Sequence, residues 1–161
     1  DSTVACVGNG DIRSPFDARR MIEATGCDGV MIARAALTAP WLLRDTAHYL
    51  AQGELPDELT LRQRVECYRQ HVHLVAAMRE ERHALTVARQ KIGGYSKHLG
   101  PCKSMRVAIQ SLTSIAAFDQ VIDQFLDQCR AAADDVPVTW ADRDAIFADR
   151  PPRGARFAAR N

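Results

Sequence analysis

The sequence predicts an α/β segment of two strand–loop–helix units followed by an all-α region. Three observations carry that expectation. Val4-Ala5-Cys6-Val7 and Gly29-Val30-Met31-Ile32 are short apolar runs, and each leads through a Gly- or Ala-rich loop into a helix signal. Neither run alternates with polar residues, as expected of strands covered on both faces in a parallel sheet. From Pro56 onward apolar residues recur at steps of three and four, the helical period.

The first run stops at Gly8-Asn9-Gly10-Asp11, a turn-forming cluster. Ser14-Pro15-Phe16-Asp17 reads as a helix start, with Ser14 as cap, Pro15 at the first helical position and Asp17 in the positive first turn. Gly26 is suited to close that helix. After the second run comes Ala33-Arg34-Ala35-Ala36. Thr38 with Pro40 then opens a helix that carries Trp41, Leu42, Thr46 and Leu50 on one side and stops at Gly53. Two strands do not make a stable sheet, so their neighbours are expected upstream, and the chain, starting at Asp1, reads as cut from something longer.

Four amphipathic helices follow. Thr60 caps the first, with Leu61, Val65, Tyr68, Val72, Val75 and Met78 inward. The second spans about residues 82–98, with Leu85, Ala88, Ile92, Tyr95 and Leu99 inward, and Gly93-Gly94 weakens it by roughly 1 kcal/mol per glycine. Gly100-Pro101 ends it. A third, near residues 103–112, turns Met105, Ile109 and Leu112 inward. Ser114 caps a fourth with Phe118, Val121, Ile122, Phe125 and Cys129 inward. Short links make this an antiparallel bundle. The expected division is residues 1–53, residues 54–133, and a Pro- and Arg-rich tail over 134–161, loosely ordered.

A content of 47% hydrophobic and 25% charged residues is that of a globular protein, and no apolar run is long enough for a transmembrane helix. No secretory leader is read at the start. Cys6, Cys27, Cys67, Cys102 and Cys129 are odd in number and widely spaced, which suits buried thiols in a reducing cytosol better than disulfides or zinc. His71 and His73, two apart on a helix, point to different sides and are not expected to clamp a metal.

The net charge of +1 conceals segregation. Residues 1–78 carry 8 Arg against 10 acids. Residues 79–106 carry Arg79, Arg82, Arg89, Lys91, Lys97, Lys103 and Arg106 against Glu80 and Glu81, a +5 block. Residues 107–149 sum to −6, and 150–161 hold four arginines without an acid. The +5 block is either an anion-binding face or a solvated helix surface; charge alone leaves both open.

Two loops are candidates for chemistry: Gly8-Asn9-Gly10-Asp11-Ile12 and Ala33-Arg34-Ala35-Ala36. In parallel α/β folds, ligands sit at the carboxyl ends of strands. Gly and Ala let backbone amides approach phosphate oxygens, a helix N-terminus adds partial positive charge, and Arg34 offers a forked donor. GNGD is also an ordinary tight turn.

The stretch VACVGNGDIRSPFDARRMIEATGCDGVMIARAALTAPWLL, continued by HYLAQGELP, HALTVARQK and YSKHL, closely resembles the tRNA-dihydrouridine synthase family, with the bacterial B-type members nearest. The resemblance covers roughly residues 4–130 and is most specific in the two loops. It implies the last two βα units of a TIM (β/α)8 barrel that binds FMN, followed by a helical bundle that helps hold tRNA. In that family NADPH reduces the flavin, hydride passes to C6 of a uracil in tRNA, and a cysteine donates a proton at C5. By position, Asn9, Gly10 and Asp11 form one side of the FMN-phosphate site, and Ala33 with Arg34 the other. Most members carry glycine where Ala33 stands; a methyl group there is tolerable at negative φ but tightens the phosphate approach.

The family's catalytic cysteine lies in an Asn-x-Gly-Cys-Pro motif, and no such motif occurs here. Cys6 and Cys27 flank barrel elements and read as packing residues, so no residue of this chain is assigned to catalysis and the chain alone is expected to be inactive. The resemblance makes Arg89, Lys91, Lys97, Lys103 and Arg106 candidates for gripping RNA phosphates around a flipped uridine. Tyr95 either stacks on a base or sits in the core. Arg150, Arg153, Arg156 and Arg160 add non-specific affinity or form an inert end. The expected location is the cytoplasm. Two other readings stay open: a non-catalytic RNA-binding helical module, and another FMN-dependent barrel oxidoreductase such as a dihydroorotate dehydrogenase relative.

Overall fold

The capping and periodicity signals place the helices closely, and the strands less so. The computed structural model describes residues 4–132. The expected loose tail over 134–161 lies outside the described residues. The described residues divide into two compact units, 4–57 and 58–132, so the division falls after Asp57 rather than after Gly53.

In the first unit, β1 (Val7–Asn9) pairs in parallel with β2 (Gly29–Met31), with Gly8 opposite Val30. The strand signal at residues 4–7 thus lands later than expected and takes in Gly8 and Asn9. The cause is non-local. The Asp28 carboxylate accepts the Cys6 amide at 2.7 Å, and the Asp28 amide donates to the Cys6 carbonyl at 2.9 Å, so a side-chain clasp precedes the ladder. The two strands are also not covered on both faces: Val7 is 60% exposed and Met31 49%. Among the described residues they pack chiefly on each other and on the α1 helix.

Helix α1 (Pro15–Thr25) opens with a full capping box, Ser14 Oγ accepting the Asp17 amide and the Asp17 carboxylate accepting the Ser14 amide. Gly26 closes it at φ 69°, a left-handed conformation that favours glycine. Helix α2 (Trp41–Gln52) begins after Pro40 without a side-chain cap. It buries Trp41, Leu42, Asp45 and Thr46, while Leu50 is half-buried. The Phe16 and Tyr49 rings meet edge-on at 5.1 Å, joining α1 to α2.

The second unit consists of α3 (Leu61–Met78), α4 (Glu81–Tyr95), α5 (Lys103–Gln110) and α6 (Ile115–Ala132). Thr60 caps α3 and forms a box with Gln63. Helix α4 ends at Tyr95, and residues Ser96–His98 tighten into a 3-10 turn. Tyr68, Tyr95 and Phe118 share the core, with Tyr68 4.8 Å from the Tyr95 ring and 5.4 Å from that of Phe118. Helix α4 turns Leu85, Ala88, Ile92 and Tyr95 inward, as its period predicts. On α3, Met78 does not go inward: it is 80% exposed at the helix end. Arg64 is buried instead, donating to the His98 carbonyl at 3.3 Å and pairing with Glu58 at 3.5 Å.

Candidate functional site

Parallel pairing of β1 and β2 puts the loops that follow them at the same end of the sheet. In the first loop Gly10 has φ 150° and Asp11 φ 39°. Both lie in the region that favours glycine, and Asp tolerates it better than most residues. Gly8 is needed for packing, since a Cβ there would stand 2.7 Å from Met21 Sδ and 2.9 Å from Cys27 Sγ.

The Asp11 carboxylate is turned toward two guanidinium groups. Its Oδ1 accepts Arg34 Nη2 of the second loop at 2.8 Å and Arg13 Nη2 at 3.3 Å. Asp11 and Arg34 are therefore brought together. Arg13 joins them although the sequence reading did not single it out; its only signal there is a positive charge two residues past Asp11. Ala33 has a negative φ, because Asp11 is the one non-glycine residue with positive φ among the described residues. A methyl group at Ala33 is thus compatible with its backbone.

The helix ends contribute less than expected. The Asp17 carboxylate takes the amides of Arg13 (2.9 Å) and Ser14 (2.8 Å), and Ser14 Oγ takes that of Asp17. The N-terminus of α1 is thereby closed by its own side chains. In the second loop the amides of Ala36, Leu37, Thr38 and Ala39 donate to Ala33, Arg34 and Ala35 carbonyls within the loop. The cations at this end of the sheet are the guanidinium groups of Arg13 and Arg34. Two exposed guanidiniums beside a glycine-containing turn suit an anionic phosphate group.

The five basic candidates of the second unit separate. Arg89, Lys103 and Arg106 line one groove between α4 and α5, of about 440 Å³, together with Gly93, Val107 and Gln110. Arg89 is also structural, its Nη2 donating to the Leu112 carbonyl at 2.5 Å. Lys91 stands near His71 instead, and Lys97 lies on the 3-10 turn, so neither lines that groove. Tyr95 is 1% exposed and belongs to the core, which excludes base stacking in this conformation.

His71 and His73 do point to different helices. His71 Nδ1 lies 3.1 Å from the Tyr95 hydroxyl on α4, and His73 Nε2 lies 2.9 Å from Asp119 on α6. Burial, then the nearby Lys91 charge, lowers the His71 pKa below its ordinary value. Burial also pushes the Tyr95 hydroxyl up to about 12. Cys27 and Cys102 are buried, Cys67 and Cys129 half-buried, and Cys6 is exposed, so the packing reading fails for Cys6. Among the described residues there is no cluster of metal-ligating side chains, and no helix is long and apolar enough to cross a membrane.

The sequence model of the family described as dihydrouridine synthase matches residues 1–133. The tRNA-dihydrouridine synthase B of Proteus vulgaris is 26% identical over 125 residues, 78% of this chain and 39% of that protein. That of Pseudomonas syringae pv. tomato is 29% identical over 126 residues, 78% of this chain and 37% of the relative. That of Pseudomonas aeruginosa is 31% identical over 123 residues, 76% and 37%. The chain thus spans less than two fifths of the length of these relatives.

Proposed function

The chain belongs to the dihydrouridine synthase family, and from that premise we propose that it is the C-terminal part of an FMN-dependent tRNA-dihydrouridine synthase. The whole enzyme reduces uridine in tRNA to 5,6-dihydrouridine with NADPH as reductant, in the cytoplasm where tRNA is modified. In this reading the first unit, which runs to Asp57, holds the last two βα units of a TIM (β/α)8 barrel, and the second, from Glu58, is the helical domain that holds tRNA.

The observation that carries the reading is the meeting of two loops from neighbouring parallel strands through Asp11 and Arg34, 2.8 Å apart. The loops after the last two strands of such a barrel commonly form a phosphate site. Asn9, Gly10 and Ala33 offer backbone at close approach, and Arg34 offers a fork of donors to the FMN phosphate. Bound FMN supplies the hydride chemistry. The residues of this chain bind and orient its phosphate; none is assigned to proton transfer, because the chain holds no Asn-x-Gly-Cys-Pro motif. The chain by itself is therefore expected not to reduce uridine.

Arg89, Lys91, Lys97, Lys103 and Arg106 supply cations for tRNA phosphates, and three of them already converge on the α4–α5 groove. The deciding experiment measures dihydrouridine in total tRNA from cells with and without the gene. Loss of dihydrouridine at one or more positions supports the reading; an unchanged content refutes it.

A further inference from the structure

We propose that Arg13 is a second cationic ligand for the terminal phosphate of the flavin nucleotide, and that Asp11 is the positioning residue holding Arg13 and Arg34 for it. The inference rests on the FMN reading of the two loops and goes beyond it by naming a residue outside the loop pattern. Its basis is one oxygen shared by two guanidiniums: Asp11 Oδ1 accepts Arg34 Nη2 at 2.8 Å and Arg13 Nη2 at 3.3 Å.

Charge makes the second arginine necessary. A carboxylate at the mouth of a phosphate site repels the ligand, and pairing it with Arg34 alone leaves the cluster neutral. Arg13 brings the cluster to a net positive charge. Each guanidinium carries five N–H donors, and Asp11 engages one nitrogen of each, so donors remain for phosphate oxygens. The Arg34 side chain is 84% exposed and that of Arg13 49%, so those donors are reachable.

The backbone supports the same assignment. Asp11 sits at φ 39°, a conformation a non-glycine residue adopts at some energetic cost, and in it the carboxylate spans the two loops. The Arg13 amide is pinned by the Asp17 carboxylate at 2.9 Å, which fixes the root of its side chain. Because the same carboxylate closes the first turn of α1, the anion has to be met by side-chain cations rather than by that helix end.

The test compares FMN with riboflavin, which lacks the phosphate, in fluorescence titrations of the full-length protein. Arg13→Ala is expected to weaken FMN binding by about tenfold, the loss of a charge-assisted hydrogen bond, and to leave riboflavin binding unchanged. Arg13→Lys should recover part of that loss. Asp11→Asn, which keeps the backbone conformation accessible, should also weaken FMN selectively. Equal losses for both flavins would mean a purely structural role for Arg13. Tighter FMN binding by Asp11→Asn would mean that Asp11 only repels phosphate. Either result overturns the proposal, as does an unaltered FMN affinity in Arg13→Ala. Failure of the unmutated protein to bind FMN would instead overturn the functional reading beneath it.

Discussion

The hydroxyl of Tyr68 on α3 donates to the carbonyl of Ala88 on α4 at 2.8 Å, in the middle of a core where Tyr68 itself is 0% exposed. Its ring touches those of Tyr95 and Phe118, so one side chain ties three helices together. Tyr68→Phe keeps the ring and removes donor and partner bond together, while the Ala88 carbonyl sits inside α4. The expected loss is about 1 kcal/mol. Tyr68→Ala opens a cavity between the helices and should cost roughly 3–5 kcal/mol. Urea unfolding of the two variants checks the pair, and similar midpoints for Phe and Ala would contradict this account.

Glu81, in the first turn of α4, accepts the amide of Ile115 at 2.6 Å. Ser114 Oγ takes the amide of Ala117 at 3.1 Å, so the N-terminus of α6 is capped from two elements. Glu81→Ala leaves Ser114 in place and frees one amide near solvent, and it should destabilise the second unit by about 1 kcal/mol. Because the capping group is a carboxylate, Glu81→Gln should retain part of the effect. Thermal melts of both variants measure the difference, and an Ala variant as stable as the original would show that Ser114 suffices.

The caps of α1, α3 and α6 were legible in the sequence because they are local. Ser14, Thr60 and Ser114 bond to amides three residues ahead, and Gly26 supplies its left-handed turn without outside help. The inward face of α4 was legible for the same reason, its period leaving one choice of face. What failed was set by distant partners. The strand at Val7–Asn9 is placed by Asp28, Arg64 is buried because the His98 carbonyl and Glu58 receive it, and Arg13 gains a place at the site only because its neighbour Asp11 also reaches Arg34 of the second loop. Met78 follows the period of α3 but is the last residue of that helix, where it stands 80% exposed.

Acid should weaken the second unit through His71. Its pKa in the folded protein lies below the ordinary 6.5, first through burial and then through Lys91; the Tyr95 hydroxyl also faces the ring. Below pH 6.5 the unfolded chain therefore binds a proton that the folded chain resists. The neutral-His contribution is fully present above that pH and is lost as pH falls toward the folded pKa. Melting temperatures measured across this range should fall more steeply for the original protein than for His71→Asn. Parallel pH profiles would remove His71 from the explanation.

If the α4–α5 groove grips RNA phosphates, Lys103→Ala and Arg106→Ala should each weaken tRNA binding across sequences. Each should also reduce the slope of log affinity against log salt by roughly one. Arg89→Ala is a poorer probe, because its bond to the Leu112 carbonyl also supports the fold. Filter binding at several salt concentrations reads both quantities. Unchanged slopes for Lys103→Ala and Arg106→Ala would place the tRNA contacts elsewhere.

The two units should differ in how readily they open when this chain stands alone. The first has a sheet of two short strands with Val7 60% and Met31 49% exposed, and a pair of strands is at best marginal in water. The second buries Tyr68, Phe118, Ile109 and Ile122 completely. Backbone amides of β1 and β2 should therefore exchange with solvent through local openings of low free energy, while those of α3, α4 and α6 should follow global unfolding of their unit. The open strand edges add a second outcome, self-association through new strand pairs, visible as concentration-dependent protection of β1 and β2. Equal, concentration-independent protection in both units would show that α1 and α2 stabilise the two strands by themselves.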